Sequence, residues 1–562
     1  PHRRTLVTGS AGFPDEALED GSDGHVLDLV FVSEDIEPSL VGAQLWLPSS
    51  GASAPFADGR PGEAAASLLP FRTVSQKRGT DEMFEGRLSI YYANTVLQSA
   101  TVRGALAAEG TASRLHLDIT VDYAVTGSYL DIAALGSREL RRADGGVEKL
   151  TVGLSLVQNG SATRHRIIAK GSSVPAKWRN YDPQGNTAAL ALARNALVSR
   201  FVNQGLDRNA AAYEADLDAL VTTGASLYAK AFGSVEGSSN PDFVSYLQSL
   251  GTAIRSKTVI QIATSGLTQY VFPWALLYDY PMDRADKRIY CKLVKNGEWT
   301  APPQSRCPYD DEPWHEANVL CPYGFWGFRN IVEQPLSELP SDKTDVLEWG
   351  ERKRPRLAGP SVVFTAGVTR DPAVTNAVDA HLQSLASLGT VTPAGGVVQW
   401  SVMEQNMRAA ELLYFLCHGR RDAARLESYI EIGATGDTLE ERIYPSILQD
   451  WARRRSNVPP ALQNAPLVMI NGCHTAELTA DDLVNFVQSY AGMGASGVIG
   501  TEVSVPVDFA AAFGFAFLEK LTKGKLPVGQ AMYDTRWDFA RRGNLLGLIY
   551  TPYCFADLGV FS

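Results

Sequence analysis

Alternating apolar and polar positions dominate the first third of the chain. The clearest example runs from Leu115 to Val125, where every second residue is apolar and the polar residues His116, Asp118, Thr120 and Asp122 lie between them. A period of two places one face of a strand on a core and the other in water. The pattern returns at Leu150–Leu156, and Gly/Ser/Asp clusters separate the apolar runs. Short strands with turn signals predict a β-rich, sandwich-like domain over residues 1–180.

The pattern changes to helical spacing near residue 187 and to alternating strands and helices from residue 361. Apolar runs of strand length occupy 361–366, 412–416, 429–432, 466–470 and 497–500. Between several of them lie stretches with helical periodicity, at 377–388, 481–493 and 508–521. Strands that alternate with helices predict an α/β fold, with a mainly parallel sheet and flanking helices.

Two of these predicted strands end in reactive side chains. Leu412–Leu416 leads into Cys417-His418-Gly419, and Leu467–Ile470 leads into Asn471-Gly472-Cys473, 55 residues after the histidine. The carboxyl ends of parallel strands are where ligands and chemistry lie. A neighbouring imidazole can take the proton of a thiol and make it a nucleophile, and backbone N–H groups at Gly419 and Cys473 can stabilise an oxyanion. The alternative is a buried apolar cysteine and an unrelated polar histidine. The joint pattern favours a catalytic dyad.

These residues also resemble those of a known family, the CHAT proteases, which are caspase-like cysteine peptidases related to separase and the caspases. The family signature is a hydrophobic run with His-Gly, here His418-Gly419, and a later Gly/Ala-Cys-x-Thr-x-Glu, here residues 472–477. Phe272–Asp279 resembles the family's Pro-Trp-Glu-Leu-Leu segment, with Ala275 in place of the acid. The resemblance covers about residues 190–562. It implies a caspase-like sheet, preceded by the β-sandwich-like domain.

The resemblance carries several expectations. It assigns His418 as the base, Cys473 as the nucleophile, and the N–H groups of Gly419 and Cys473 as the oxyanion hole. It divides the chain into a regulatory or recognition domain (1–180), a helical and α/β N-terminal part of the CHAT region (186–345) and a catalytic part (346–562). The implied function is a cysteine endopeptidase that cleaves a protein partner in bacterial antiphage defence or programmed cell death, after activation by a sensor, with a gasdermin-like effector as one substrate.

Two other functions remain open. One is a catalytically silent, caspase-like scaffold or sensor, in which the dyad does no chemistry. The other is a thiol-dependent amidase or transferase that uses the same dyad. Activity on peptides, on small amides or on neither separates the three.

Three acidic residues near predicted strand ends are candidates for substrate binding. They are Asp422, Glu502 and Asp508. An acid in the first specificity pocket would select Arg or Lys at the cleaved bond. Asp508 has the alternative role of capping the helix that follows it.

Cys291, Cys307, His315 and Cys321 fall within 31 residues and form a candidate zinc site. Three thiolates and an imidazole satisfy a structural tetrahedral site. The spacing is irregular and contains no Cys-x-x-Cys pair, and packing of the neighbouring aromatic residues is the alternative. No other cofactor is expected, because the Gly clusters lack the Lys-Ser/Thr ending of a phosphate loop.

Composition narrows the partners and the compartment. The 562 residues carry 51 basic and 62 acidic side chains, for a net charge of −11, which disfavours direct nucleic-acid binding and membrane-surface binding. The strongly apolar stretches are about half the length of a membrane span. With six cysteines and no visible leader, we expect cytoplasmic thiols rather than a disulfide scaffold.

Overall fold

The structure of the chain is a computed structural model. It describes residues 6–8, 23–49, 53–62, 69, 72–73, 83–105, 117–125, 149–159, 162–171, 174–181, 193, 195, 197, 206–233, 241–264, 272–282, 287–335, 362–434, 438–454, 462–473, 480–501, 503 and 505–559.

The amino-terminal strands form an eight-stranded sheet in the order β1-β10-β9-β8-β2-β4-β5-β6, and β3 pairs separately with β7. Neighbouring strands are antiparallel, except that β1 runs parallel to β10. The strands are β1 (Leu6–Thr8), β2 (Gly24–Val32), β3 (Ile36–Glu37), β4 (Leu40–Pro48), β5 (Ala54–Ala57), β6 (Arg60–Pro61), β7 (Arg72–Thr73), β8 (Met83–Tyr92), β9 (Thr95–Ala105) and β10 (Leu117–Ala124).

The alternation predicted around residue 120 is confirmed in β10, with one difference. Asp118 and Thr120 are exposed, as a water-facing row requires. Asp122, in the same polar row, is buried, because the guanidinium of Arg87 on β8 donates to both of its carboxylate oxygens, at 2.8 and 2.5 Å. Alternation thus identifies the two faces of a strand but not whether the polar face is covered.

A second sheet joins strands from both sides of the boundary predicted near residue 180. Its order is β13-β12-β11-β14-β17. The strands are β11 (Lys149–Asn159), β12 (Ala162–Gly171), β13 (Lys177–Tyr181), β14 (Val259–Thr264) and β17 (Ile331–Glu333). One face packs on helices α1 (Ala210–Phe232) and α2 (Pro241–Ala253). On the other face, Ile168 and Ala263 share a core with Leu27 and Tyr91 of the first sheet.

The segment between β14 and β17 is built from short elements and packed aromatic rings. Its elements are α3 (Lys292–Lys295), α4 (Trp326–Arg329) and the strands β15 (Ile289–Tyr290) and β16 (Val319–Leu320), which pair in parallel. Tyr278 and Phe325 lie edge to face with ring centroids 5.0 Å apart. Gly324 is required here, since a Cβ would lie 2.2 Å from the ring of Tyr278.

The carboxy-terminal half forms the mainly parallel sheet that the alternating pattern predicts. Its order is β19-β18-β20-β23-β24-β25, with only β25 antiparallel to its neighbour, and a hairpin of β21 and β22 extends β20. The strands are β18 (Val362–Val368), β19 (Gly389–Val391), β20 (Leu412–Asp422), β21 (Glu427–Glu431), β22 (Arg442–Ile443), β23 (Leu467–Cys473), β24 (Gly497–Thr501) and β25 (Tyr550–Tyr553).

Helices cover both faces of this sheet, which confirms the predicted α/β class and the strand-rich region before it. They are α5 (Thr375–Ala386), α6 (Trp400–Asn406), α7 (Pro445–Arg454), α8 (Ala480–Gly492), α9 (Val507–Thr522) and α10 (Val528–Ala540). Along β20, Leu412, Tyr414 and Leu416 pack with residues of α5, α9 and α10. Leu413, Phe415 and Cys417 pack with residues of α6, α7 and α8 on the opposite face.

One strand is longer than its apolar run. The prediction ended the strand at Leu416, but β20 continues to Asp422, because Glu427–Glu431 folds back on it as an antiparallel hairpin. His418 and Gly419 therefore lie inside a hydrogen-bonded strand rather than in a loop.

Candidate functional site

The two dyad candidates lie side by side at the end of the parallel part of the sheet. Residues 412–418 of β20 pair with residues 467–473 of β23, and His418 is the register partner of Cys473. Paired residues of neighbouring strands are about 4.8 Å apart. The backbone of Cys473 is described, whereas its side chain lies outside the described part of the structure. Residues 55 positions apart in sequence are thus brought together by strand pairing.

The imidazole of His418 is buried and faces an acid that the sequence analysis did not predict. Its Nε2 lies 3.5 Å from Oδ2 of Asp371, which follows β18. A turn holds this carboxylate, because Oδ1 of Asp371 accepts the N–H of Ala373 at 2.9 Å and the N–H of Asp371 donates to Thr369. The signal in the sequence was an acid three residues after the first strand of the parallel sheet, at the edge where ligands bind.

A second unpredicted acid lies on the hairpin strand that pairs with the histidine. Glu431 of β21 is the antiparallel register partner of His418. It is buried, and its carboxylate lies 2.5 Å from Nε of Arg420. Since Arg420 neutralises this charge, Asp371 is the acid whose charge is directed at the imidazole.

A buried polar network lies one layer below the dyad. Asn471 donates from Nδ2 to the hydroxyl of Tyr414 at 2.7 Å and to the carbonyl of Ala510 at 2.5 Å, and its Oδ1 accepts the hydroxyl of Tyr550 at 2.7 Å. Gly514 of α9 makes room for it, because a Cβ there would lie 2.6 Å from the Tyr414 hydroxyl. The network links β20, β23, α9 and β25 directly beneath the strand ends.

The substrate-binding candidates have different surroundings. Asp422 is engaged within the hairpin: Oδ2 accepts the hydroxyl of Tyr444 at 2.8 Å, and Oδ1 accepts the N–H groups of Ala424 and Arg425. The Tyr444 hydrogen bond lowers the pKa of Asp422. These contacts favour a structural role in the turn over an open specificity pocket.

The other two acids divide into one exposed residue and one outside the described residues. Asp508 is exposed in the first turn of α9, where it lines a cavity of about 560 Å³ with His381 and Phe509. The N-cap residue of α9 is Pro506 and the cap makes no side-chain hydrogen bond, so the predicted capping role of Asp508 is wrong. Contact of Asp508 with a substrate stays a prediction. Glu502 lies outside the described residues.

The four candidate zinc ligands are brought together. Cys291, Cys307, His315 and Cys321 are all buried, and their ligand atoms lie within 4.8 Å of one another. This cluster belongs to the segment between β14 and β17, separate in sequence from the dyad.

The fold and the paired strands thus define an α/β domain with a histidine and a cysteine at the carboxyl edge of its sheet. Residues 358–544 match the CHAT domain, which confirms the resemblance for this part of the chain. A protein of Vitiosangium sp. (strain GDMCC 1.1324) named "Probable protease" is 29% identical over 313 residues, which cover 53% of this chain and 38% of that protein. The chain therefore spans well under half the length of this relative.

Two solved structures were also found to be similar. Both are crystal structures of the Saccharomyces cerevisiae separase–securin complex, with TM-scores of 0.34 and 0.32. Each is 9% identical, and each alignment covers 72% of this chain and 30% of the other.

None of the described helices combines the length and the apolar composition that crossing a bilayer requires.

Proposed function

We propose that this chain is a cysteine endopeptidase in which His418 and Cys473 form the catalytic dyad. The observation that carries the proposal is the register of the sheet, which pairs these two residues across neighbouring parallel strands. The CHAT domain match over 358–544 and the similarity to a protein named as a probable protease support the same chemistry.

The proposed reaction begins with transfer of the Cys473 thiol proton to His418. The thiolate then attacks the carbonyl carbon of the scissile peptide bond, and the N–H groups of Gly419 and Cys473 stabilise the oxyanion. His418 returns the proton to the leaving amine as the C–N bond breaks, which leaves a thioester. Water, deprotonated by His418, hydrolyses the thioester and restores the thiol.

Asp371 acts in this proposal as a positioning residue. Its carboxylate faces Nε2 of His418. The proposal therefore assigns Nδ1 as the ring nitrogen that exchanges the proton with Cys473. A negative charge at this distance also stabilises the imidazolium that forms when the thiol loses its proton. The site is then a base whose ring is oriented by a third group, the arrangement that activated nucleophiles share.

The substrate in this proposal is a protein segment bound in extended form along the sheet edge. Asp508, exposed at the start of α9, is the described acid available to contact a basic residue beside the cleaved bond. We extend the proposal to a cytoplasmic role in bacterial antiphage defence or cell death, in which a sensor activates the enzyme and a gasdermin-like effector is cleaved. This extension rests on the family resemblance.

The test compares wild-type protein with Cys473→Ala, His418→Ala and the control Cys554→Ala on a proteome-derived peptide library read by mass spectrometry. Cys554 is a buried thiol near the carboxy terminus, so its loss should leave cleavage intact. We expect new peptide termini with wild type and the control, and none with either dyad variant.

The alternatives predict other outcomes. A silent scaffold gives no cleavage by wild type and slow alkylation of Cys473 by iodoacetamide, at a rate unaffected by His418→Ala. An amidase releases ammonia from small amides and leaves the peptides intact. Wild-type cleavage by Cys473→Ala would contradict the dyad.

A further inference from the structure

Outside the dyad, one cluster of side chains has the chemistry of a metal site. Cys291 follows β15 and Cys321 follows β16, and because these strands pair in parallel the two cysteines leave the pair side by side. The N–H of Cys291 donates to the carbonyl of Leu320 at 3.0 Å and continues the pairing. Cys307 and His315 come from the loop between the strands. Three segments therefore converge on one point.

The distances within the cluster fit a shared tetrahedral ion. Sγ of Cys291 lies 3.6 Å from Sγ of Cys307, which lies 3.5 Å from Nε2 of His315. Zinc bonds of about 2.3 Å to sulfur and about 2.05 Å to nitrogen at tetrahedral angles give edges of about 3.8 Å between sulfurs and about 3.6 Å between sulfur and nitrogen. These two separations match this geometry, and the ligand atoms of all four side chains lie within 4.8 Å of one another.

The same distances argue against a disulfide and against simple packing. A disulfide needs about 2.05 Å between sulfurs, far below the 3.6 Å observed. Each of the four side chains is at most 1% exposed, and a packing role would not require that three thiols and an imidazole nitrogen turn toward one point. Four donors that converge in a site closed to water are typical of structural zinc sites.

The surroundings of His315 supply the outer contacts that such sites use. Its Nδ1 lies 3.4 Å from Oδ1 of Asp310, a buried carboxylate that also accepts the hydroxyl of Tyr280 at 2.6 Å. A carboxylate on the far nitrogen fixes the tautomer and leaves Nε2 to bind the metal.

We propose that Cys291, Cys307, Cys321 and His315 bind one structural Zn²⁺. All four positions are taken by the protein, so the ion has no open site for substrate and serves to hold the segment between β14 and β17 together. On binding, three thiols release their protons and the ion adds a 2+ charge, which leaves a net charge of −1 at the site. The inference is independent of the proposed peptidase activity.

The test measures metals by inductively coupled plasma mass spectrometry on full-length protein purified under reducing conditions. We expect about one zinc per chain in wild type, Cys554→Ala and Cys473→Ala, and a loss of at least tenfold in Cys307→Ser and His315→Gln. Retention in Cys473→Ala excludes the dyad as the site that binds the ion. Replacement of zinc by Co²⁺ should give a sulfur-to-cobalt charge-transfer band.

A second measurement covers variants that fail to fold. Addition of a strong chelator to wild-type protein should release the zinc, make three further thiols reactive and lower the melting temperature, and added Zn²⁺ should reverse all three effects. Wild-type protein without zinc after purification in zinc-supplemented medium would overturn the proposal. Iron in its place, or unchanged zinc in both ligand variants, would also overturn it.

Discussion

The contact between Asp371 and His418 gives a sharp test of how the proposed dyad is organised. The change Asp371→Asn removes the negative charge but keeps an oxygen that can accept the N–H of Ala373. The turn after β18 should therefore survive, and only the charge that faces the imidazole is lost. We expect kcat to fall while KM and the free energy of unfolding stay near their wild-type values.

The size of the effect follows from the distance. Opposite unit charges 3.5 Å apart interact by about 1.2 kcal/mol in water and about 4.7 kcal/mol at an effective dielectric constant of 20. The side chain of Asp371 is 38% exposed, which places the interaction toward the lower figure. A loss of about 1–2 kcal/mol in the transition state corresponds to roughly a tenfold drop in kcat.

The assay is steady-state cleavage of the best peptide from the library screen, with urea unfolding as the measure of stability. The matched control is Asp379→Asn on α5, the helix that follows the turn, where the carboxylate pairs with Arg370 and is half-exposed. The control should keep wild-type kcat. If Asp371→Asn also keeps it, the carboxylate does not support the base and the positioning role is refuted. A change in KM alone would assign Asp371 to substrate binding instead.

Three further predictions concern stability and its pH dependence. Asn471→Ala removes three buried hydrogen bonds, each worth about 1 kcal/mol, so urea unfolding should show a loss of about 3 kcal/mol; a loss below about 1 kcal/mol would contradict the network. Arg87→Ala leaves Asp122 buried without its cation and should lower the free energy of unfolding by about 3–5 kcal/mol in the same measurement. The control is Arg103→Ala, which breaks the more exposed pair with Glu85 and should cost at most about 1 kcal/mol. Equal losses in the two variants would refute the burial argument. Burial lowers the pKa of His381 to about 4. The unfolded chain binds the histidine proton at a higher pH than the folded chain does. This histidine therefore lowers the free energy of unfolding as the pH drops below about 6.5, and the effect stops growing below about pH 4. Between pH 7 and pH 5, the free energy of unfolding of His381→Leu should therefore fall by about 2 kcal/mol less than that of wild type. Parallel pH profiles of the two proteins would show that His381 does not cause the loss of stability.

The elements of the carboxy-terminal half were predictable because their periodicity is local. The apolar run at 497–500 became β24 and the helical stretch at 508–521 became α9, each within one residue, whereas the run at 466–470 became β23, which continues to Cys473. Burial of both faces of a parallel strand forces a continuous apolar run, and a helix shows its buried stripe every three to four residues. The apolar run and the helical stripe are visible in the sequence whichever strand becomes the neighbour.

The contacts that complete the site depend on which segments become neighbours, and the periodicity does not contain that information. Asp371 faces His418 only because β18 pairs with β20. Strand β20 extends beyond its apolar residues because β21 folds back on it. The cluster at Cys291 shows the same limit, because a loop with no regular period carries two of its four members to a pair of two-residue strands. Strand partners also override local boundaries, as the sheet that joins β11 to β14 shows.

The register between β20 and β23 is the quantity on which the proposed chemistry depends. A slip of one residue would move Cys473 away from His418 and exchange the two faces of β23. Apolar packing alone specifies this weakly, since both strands are apolar on both faces. The side chain of Asn471 specifies it strongly, because its bonds to Tyr414, Tyr550 and Ala510 can form in one register only, and a slip would bury three polar groups without partners. A buried amide two residues before the proposed nucleophile thus favours the register that aligns the proposed dyad, and its loss should reduce both stability and cleavage.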